Sequence, residues 1–382
     1  MPLSATQYRV SVVIPCLNEA ATIGECVTNA QMVLEEHGVA GEVIVVDNGS
    51  TDGSGDLARR AGARVVDEPR HGYGSACLAG LAEAQGDYIV MVDADLTYDF
   101  WEIPRFVQAL QDGAQLVVGN RMRSIKPGAM PRLSQLGNPL LSGFLNALYR
   151  TNVRDVHCGM RALRRDVLPI LNLRTVGMEF ASEMVIRATR ERLDVREIPI
   201  ELHPRVGSSK LSPFRDGWRH LRLILVYNPN FLFLLPGALM LAVGSLITLL
   251  VFLQVPILGR GLYVHSLIFG CLLVLLGVQA IGLGLCARAF GVYFISERDH
   301  LFQRLRARLR LEHGLLLATA VCVAGLALLG VVLGRWAAYG FGRLSEERLA
   351  ILAATVIAVA AQVFFTSFLL AILGLRRRRD EP

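Results

Sequence analysis

Asp93 and Asp95 are separated by one residue directly behind the apolar run Tyr88 to Val92, so one turn after a strand can aim oxygens from both at a single point. Such a carboxylate pair suits a hard divalent cation, magnesium or manganese, that completes its shell with water or substrate phosphates. Two more polar clusters stand behind apolar runs: Pro15-Cys16-Leu17-Asn18-Glu19 after Val10 to Ile14, and Asp47-Asn48-Gly49-Ser50 after Glu42 to Val46. Carboxylates gathered at one edge repel one another unless a cation or a hydrogen-bonding ligand lies among them. A metal and a nucleotide together would meet both needs. A lone Asp-x-Asp is commonly a solvated turn, and its place behind a strand is what turns the reading toward function. Gly72-Tyr73-Gly74 opens a helical stretch and could turn backbone N–H groups toward a phosphate, although glycines at such a junction are equally ordinary turn chemistry.

The elements that must position these clusters are short β-branched runs alternating with longer helical stretches between Tyr8 and about Pro213, the pattern of a mostly parallel sheet covered by helices. Strands are expected at Val10 to Ile14, Glu42 to Val46, Arg64 to Val66, Tyr88 to Val92 and Leu116 to Val118. Helices are expected near Ala20 to His37, Gly53 to Ala61, Gly74 to Ala84 and Trp101 to Gln111. In open sheets of this kind ligands gather beyond the carboxyl ends of the strands, where the three polar clusters fall.

The second half of the 382-residue chain is different. Uncharged runs cover Phe231 to Gly259, Leu262 to Ala287, Gly314 to Gly334 and Leu349 to Leu375, in a chain that is 53% hydrophobic. Each meets the ~20 apolar residues that cross a bilayer core, and none keeps the polar stripe of a soluble bundle helix. The fold class expected is therefore an α/β catalytic domain over residues 1–212 and an all-α domain of four transmembrane helices over 229–375. Residues 213–228 and about 133–149 read as amphipathic interfacial helices, and 376–382 as a basic tail.

No secretory signal is expected, since Val10 to Ile14 is short and follows a polar start. The arginine count orients the spans. Arg288, Arg298, Arg304, Arg306, Arg308 and Arg310 lie between the second and third spans, and Arg376 to Arg379 in the tail. The opposite loops hold only Arg260, Arg335, Arg343 and Arg348. Both ends are thus expected in the cytoplasm. The net charge of +6 gathers at these loops, which favours anionic lipid over nucleic acid, for which the chain has no motif. Seven scattered cysteines without a CxxC argue against a disulfide framework or a zinc site. The apolar surface of the four spans is ample for a homo-oligomer.

VSVVIPCLNEAATI, EVIVVDNGSTD and YIVMVDADL resemble the opening of the family-two glycosyltransferases of GT-A fold. VVGNRM, DVHCGMRALRRDVL and EIPIELHPRVGSSKL resemble the branch that glycosylates polyprenyl phosphates, the dolichyl-phosphate mannose synthases and their bacterial relatives. The four spans resemble the small GtrA-type membrane module found in part of that branch. The resemblance implies an inverting, metal-dependent (Mg2+ or Mn2+) transfer of a hexosyl group from a GDP- or UDP-linked sugar to a dolichyl or undecaprenyl phosphate. The setting would be a bacterial or archaeal inner membrane.

Carried over by position, the resemblance puts Pro15, Asn18, Glu19 and Asp47 around the nucleoside, and Asp93 and Asp95 on metal and diphosphate. Arg121 and, more loosely, Arg132 match phosphate-binding arginines, and Arg205, with Ser209 and Lys210 behind it, matches a loop that closes over donor and acceptor. Asp155 and Arg161 fit a segment near the sugar pocket, with Glu179 and Glu183 in the helix that follows. Three positions depart from the pattern: Asn48 replaces a frequent second acid, Thr97 a frequent glutamine at the third metal contact, and Tyr73 a loop lysine.

A phosphate monoester, with a second pKa of about 6, is already largely dianionic at neutral pH, so such a reaction needs no general base. It needs positioning and charge neutralisation, for which arginine forks are suited. Two rival readings are a processive polysaccharide synthase, whose QxxRW motif is absent, and a lipid-linked-sugar flippase or scaffold with a vestigial transferase domain, against which the intact acidic clusters argue.

Overall fold

A computed structural model describes residues 9–207, 213–256, 261–294, 311–342 and 346–375. The chain divides into two compact units, Met1–Ile224 and Leu225–Pro382.

The first unit is built on a seven-stranded sheet in the order β3-β2-β1-β4-β6-β5-β7. Strand β1 (Arg9–Cys16) pairs in parallel with β2 (Ala40–Asp47) on one side and β4 (Tyr88–Met91) on the other, and β3 (Arg64–Asp67) extends the sheet beyond β2. Residues 12–14, 44–46 and 89–92 are wholly buried, which is why these runs are continuously apolar rather than alternating: helices cover both faces of a parallel sheet. They are α1 (Ile23–Glu36), α2 (Ser54–Arg60), α3 (Tyr73–Glu83) and α4 (Ile103–Gln111), within a few residues of the expected bounds.

Two strands lay outside that expectation. β6 (Arg161–Arg164) runs antiparallel between β4 and β5 (Leu116–Ile125), and β7 (Val195–Leu202) pairs in parallel with β5. The register of β5 against β7 breaks between Asn120 and Ser124, and such an irregularity re-aims the side chains it carries. Arg121 lies within it. The unit is completed by α5 (Arg132–Tyr149), α6 (Leu168–Leu171), α7 (Phe180–Arg190) and most of α8 (Pro213–Val226).

Helices α5 and α8 each bury one stripe and expose apolar side chains on another. In α8, Asp216, His220 and Ile224 are buried at four-residue spacing, while Phe214 and Trp218 are 81% and 59% exposed. In α5, Ser142 and Leu145 are buried and Leu136 and Leu140 are exposed. Tyr149 donates its hydroxyl hydrogen to the Ile224 carbonyl at 2.8 Å, joining the two helices.

The second unit contains α9 (Leu235–Phe252), α10 (Val264–Phe294), α11 (Leu311–Ala338) and α12 (Glu347–Leu375). Four segments, Asn230–Phe252, Val264–Tyr293, Leu311–Ala338 and Glu347–Gly374, are long and apolar enough to cross a bilayer. Small residues let the helices approach closely. A Cβ on Gly244 of α9 would lie 2.6 Å from the Gly270 carbonyl of α10, and one on Gly325 of α11 2.7 Å from Ile357 of α12. Of the arginines that orient the spans, Arg260, Arg298, Arg304, Arg306, Arg308, Arg310, Arg343 and Arg376 to Arg379 lie outside the described residues.

Candidate active site at the carboxyl edge of the sheet

The parallel register ends β1 and β2 together, with Cys16 opposite Asp47, and Val13 opposite Met91 brings Asp93 out beside them. The polar clusters therefore meet at the point where β1 has neighbours on both sides, the crevice such sheets use for ligands. Asn18 takes a left-handed backbone, φ 51°, which asparagine tolerates better than most residues. Its amide oxygen accepts Thr51 N at 2.7 Å, and its own N–H donates to Ser50 Oγ at 2.9 Å. The loops after β1 and β2 are thereby tied to each other. Pro15 is buried within β1, and Asp47 accepts Ser50 N on Oδ1 at 2.8 Å.

The turn after β4 is strained. Leu96 has φ 59°, costly for a side chain with a Cβ, and three hydrogen bonds hold the turn. Thr22 donates to the Ala94 carbonyl at 2.6 Å, while Thr97 donates both its hydroxyl, at 2.5 Å, and its N–H, at 3.1 Å, to Asp95 Oδ1. Thr97, at the position of the third metal contact, donates its hydroxyl hydrogen to Asp95 and so orients that carboxylate.

Asp93 is wedged from two sides. Tyr73 donates to Oδ1 at 2.9 Å, and a Cβ on Gly159 would lie 2.2 Å from Oδ2. Burial, followed by the charge of Asp95, pushes the Asp93 carboxyl up from 3.8 to about 6. Both causes favour the neutral acid over the carboxylate. Among the described residues no group of three or more His, Cys, Asp and Glu side chains gathers as metal ligands. Asp93 and Asp95 instead fit a magnesium- or manganese-sized cation that takes one or two carboxylates from the protein and the rest from substrate phosphate and water.

Arg205 closes the acidic edge. Its guanidinium bridges Glu19 Oε1 and Asp95 Oδ2, the latter at 3.1 Å. Arg121 is held by Asp155, which is wholly buried and accepts Nε at 2.7 Å, NH2 at 2.9 Å and the Arg121 backbone N–H at 3.1 Å. The remaining arm of Arg121 reaches Tyr98 Oη at 3.3 Å. A bidentate pair of this kind fixes the plane of the guanidinium.

Other sequence expectations change. Arg161 is 1% exposed and donates to the carbonyls of Cys158, Ala181 and Val156; it buttresses the segment that carries Gly159 and is too deep to meet a ligand. Glu183 is wholly buried and accepts from Arg174 N and from Thr175 N and Oγ1, a loop clamp rather than a sugar contact. Arg132 is exposed at the start of α5 and forms no ion pair among the described residues. Ser209 and Lys210 lie outside the described residues. The opening of α3 is also not a free anion seat: Gly72 N donates to Asn48 Oδ1 at 2.7 Å, Ser75 N donates to the Val176 carbonyl at 3.2 Å, and a Cβ on Gly74 would lie 2.2 Å from the Thr175 carbonyl. Burial pushes the Cys16, Cys26 and Cys158 thiols up to about 12, so none of them is a thiolate nucleophile.

The sequence marked Asn48 and Tyr73 only as departures from the family pattern, without a structural role, and Gly159 not at all. Asn48 donates to the Glu68 and Arg70 carbonyls at 2.9 and 2.8 Å while accepting Gly72 N, so it pins the loop that delivers Tyr73. A carboxylate could accept but not donate there, which gives the departure from the common acidic residue a physical reason.

A mostly parallel Rossmann-like sheet with Asp-x-Asp at its carboxyl edge, followed by four apolar helices, defines a membrane protein with a GT-A transferase domain. The model of Glycosyl transferase family 2 matches residues 11–170, and that of the family's C-terminal transmembrane region matches 285–374. The low-salt glycan biosynthesis hexosyltransferase Agl6 of Haloferax volcanii is 38% identical over 368 residues, 96% of this chain and 89% of its own. The chain belongs to glycosyl transferase family 2. A dolichyl-phosphate hexose transferase of the same organism is 33% identical over 210 residues, 54% of this chain and 89% of its own. Glucosyl-3-phosphoglycerate synthase of Mycobacterium tuberculosis, solved with phosphoglyceric acid, aligns over 58% of this chain and 80% of its own at 25% identity and a TM-score of 0.48.

Proposed function

We propose that the protein transfers a hexosyl group from a UDP- or GDP-linked sugar to a polyprenyl phosphate, with inversion, at the cytoplasmic face of a bacterial or archaeal membrane. The observation that carries this reading is the convergence of Asp93 and Asp95 with Arg205 at one sheet edge, in a chain with four membrane-length apolar helices. The similarity to a dolichyl-phosphate hexose transferase supports the lipid phosphate as acceptor.

In this reading Pro15, Asn18, Glu19 and Asp47 surround the nucleoside, and Asp93 and Asp95 hold the diphosphate end. A divalent ion there would neutralise the departing nucleoside diphosphate. The acceptor phosphate attacks the anomeric carbon as an ionised nucleophile and the bond to the diphosphate breaks on the opposite side. The protein's work is positioning and charge neutralisation. Arg121, fixed by Asp155, and Arg205 supply guanidinium donors, and Arg132 at the head of α5 meets the lipid phosphate on entry. The exposed leucines of α5 and the exposed Phe214 and Trp218 of α8 lie in the membrane interface. The chain itself favours this, since α8 ends at Val226 and the first span begins at Asn230.

The test supplies membranes carrying the protein with radiolabelled UDP- and GDP-sugars in turn, polyprenyl phosphate and manganese. Label should pass into the organic phase with one donor. No organic-soluble product with any donor refutes the reading.

A further inference from the structure

We propose, on the footing of the transferase reading above, that Arg205 is the resident counter-cation of the Asp95–Glu19 pair, exchanged for a divalent ion as the nucleotide sugar binds. The displaced guanidinium would then be available to the lipid phosphate.

The two oxygens of Asp95 have different partners. Oδ1 is taken by the hydroxyl and N–H of Thr97, and Oδ2 by the Arg205 guanidinium at 3.1 Å. Oδ2 is therefore the oxygen a cation would use, and a guanidinium and a divalent ion cannot both sit in contact with it without strong repulsion. The second arm of Arg205 rests on Glu19, so one side chain neutralises an acid from the β1 loop and one from the β4 turn.

This seat does not satisfy the guanidinium. Arg205 Nε is buried and has no hydrogen-bond partner among the described residues, an arrangement that penalises staying. Phosphate oxygens, which accept charge-assisted bonds in several directions, offer more. The backbone is meanwhile anchored: His203 N donates to the Thr97 carbonyl at 3.0 Å and Val206 N to the Asp95 carbonyl at 3.4 Å. The exchange is thus a swing of one side chain from a fixed strand end. In the structure the Arg205 charge is committed to Asp95 and Glu19; with a cation held at Asp95, Arg205 would offer that charge to a second anionic group.

Manganese binding to the full-length chain in detergent, without nucleotide, is read from the electron paramagnetic resonance of the free ion. Arg205→Gln should bind Mn2+ about tenfold more tightly than the unaltered chain, because a fixed positive charge a few ångströms away is gone. A second arm needs no variant: binding of a short polyprenyl phosphate to the unaltered chain should tighten when Mn2+ and UDP or GDP are present. Equal or weaker Mn2+ affinity in Arg205→Gln, or lipid-phosphate binding indifferent to Mn2+ and nucleotide, overturns the exchange and leaves the transferase reading standing. Absence of Mn2+ binding in both chains, even with UDP or GDP, overturns the metal-dependent reading itself and the exchange with it.

Discussion

The backbone of Gly159 lies so close to the Asp93 carboxylate that a Cβ at residue 159 would stand 2.2 Å from Oδ2 and 2.8 Å from Cγ. Gly159 N donates to Tyr98 Oη at 2.8 Å, so the glycine cannot easily retreat. Gly159→Ala should therefore displace Asp93 and lower kcat/KM by at least about a hundredfold, because misplacing a group by an ångström costs that much. Circular dichroism should show the fold retained. Near-normal activity in this variant would mean that the position of Asp93 does not matter.

Asp93 itself trades stability for function. Its carboxyl is raised from 3.8 to about 6, chiefly by burial and then by Asp95. A folded state that holds its proton more tightly than the unfolded chain keeps that contribution in full below pH 3.8 and loses it as pH rises through about 6. At neutral pH and in the presence of a chelator, Asp93→Asn should be more stable than the unaltered chain by about 3 kcal/mol and unfold at a higher temperature, and the advantage should vanish near pH 4. Activity should be lost. An unchanged melting temperature at pH 7.5 would contradict the sign.

The Asp-x-Asp pair was legible because both acids follow a buried apolar strand, and the first five strands because they are continuous β-branched runs. β6 was not: Arg161-Ala162-Leu163-Arg164 is four residues long, has no alternation, and is a strand only because β4 and β5 flank it. The supports of the site were illegible for the same kind of reason. Tyr73 meets Asp93 across twenty residues and Asn48 meets Gly72 across twenty-four, and no local pattern announces such contacts. Arg161 reads the same in sequence whether it lines a sugar pocket or caps buried carbonyls, and only burial separates the two.

Asn48→Asp restores the acid common at that position and should nevertheless weaken the protein. Its two donated bonds, to the Glu68 and Arg70 carbonyls, become contacts between acceptors. A loss of about 1–3 kcal/mol in thermal unfolding is expected, the cost of buried groups left unmatched, with a fall in activity as the loop before Tyr73 loosens. Stability equal to the unaltered chain would show that the loop is held by other means.

Tyr73→Phe removes one hydroxyl and leaves the ring on Phe180, whose centroid lies 6.5 Å away. Without the bond to Oδ1, Asp93 should hold cation and donor less well. The KM for manganese should rise about tenfold, consistent with one hydrogen bond to a charged group, and the melting temperature should fall as the Asp93 oxygen loses its donor. A fall in kcat with KM unchanged would place Tyr73 in a different role.

The proposed service of Asp93 and Asp95 in sugar transfer to a lipid phosphate is tested most directly by mass spectrometry of the lipid extract after purified protein is incubated with nucleotide sugar, manganese and polyprenyl phosphate. Polyprenyl phosphate carrying one hexosyl group is expected, absent after chelation and absent with Asp95→Ala. The same glycolipid formed at full yield by Asp95→Ala, or none formed by the unaltered protein with any donor, would contradict it.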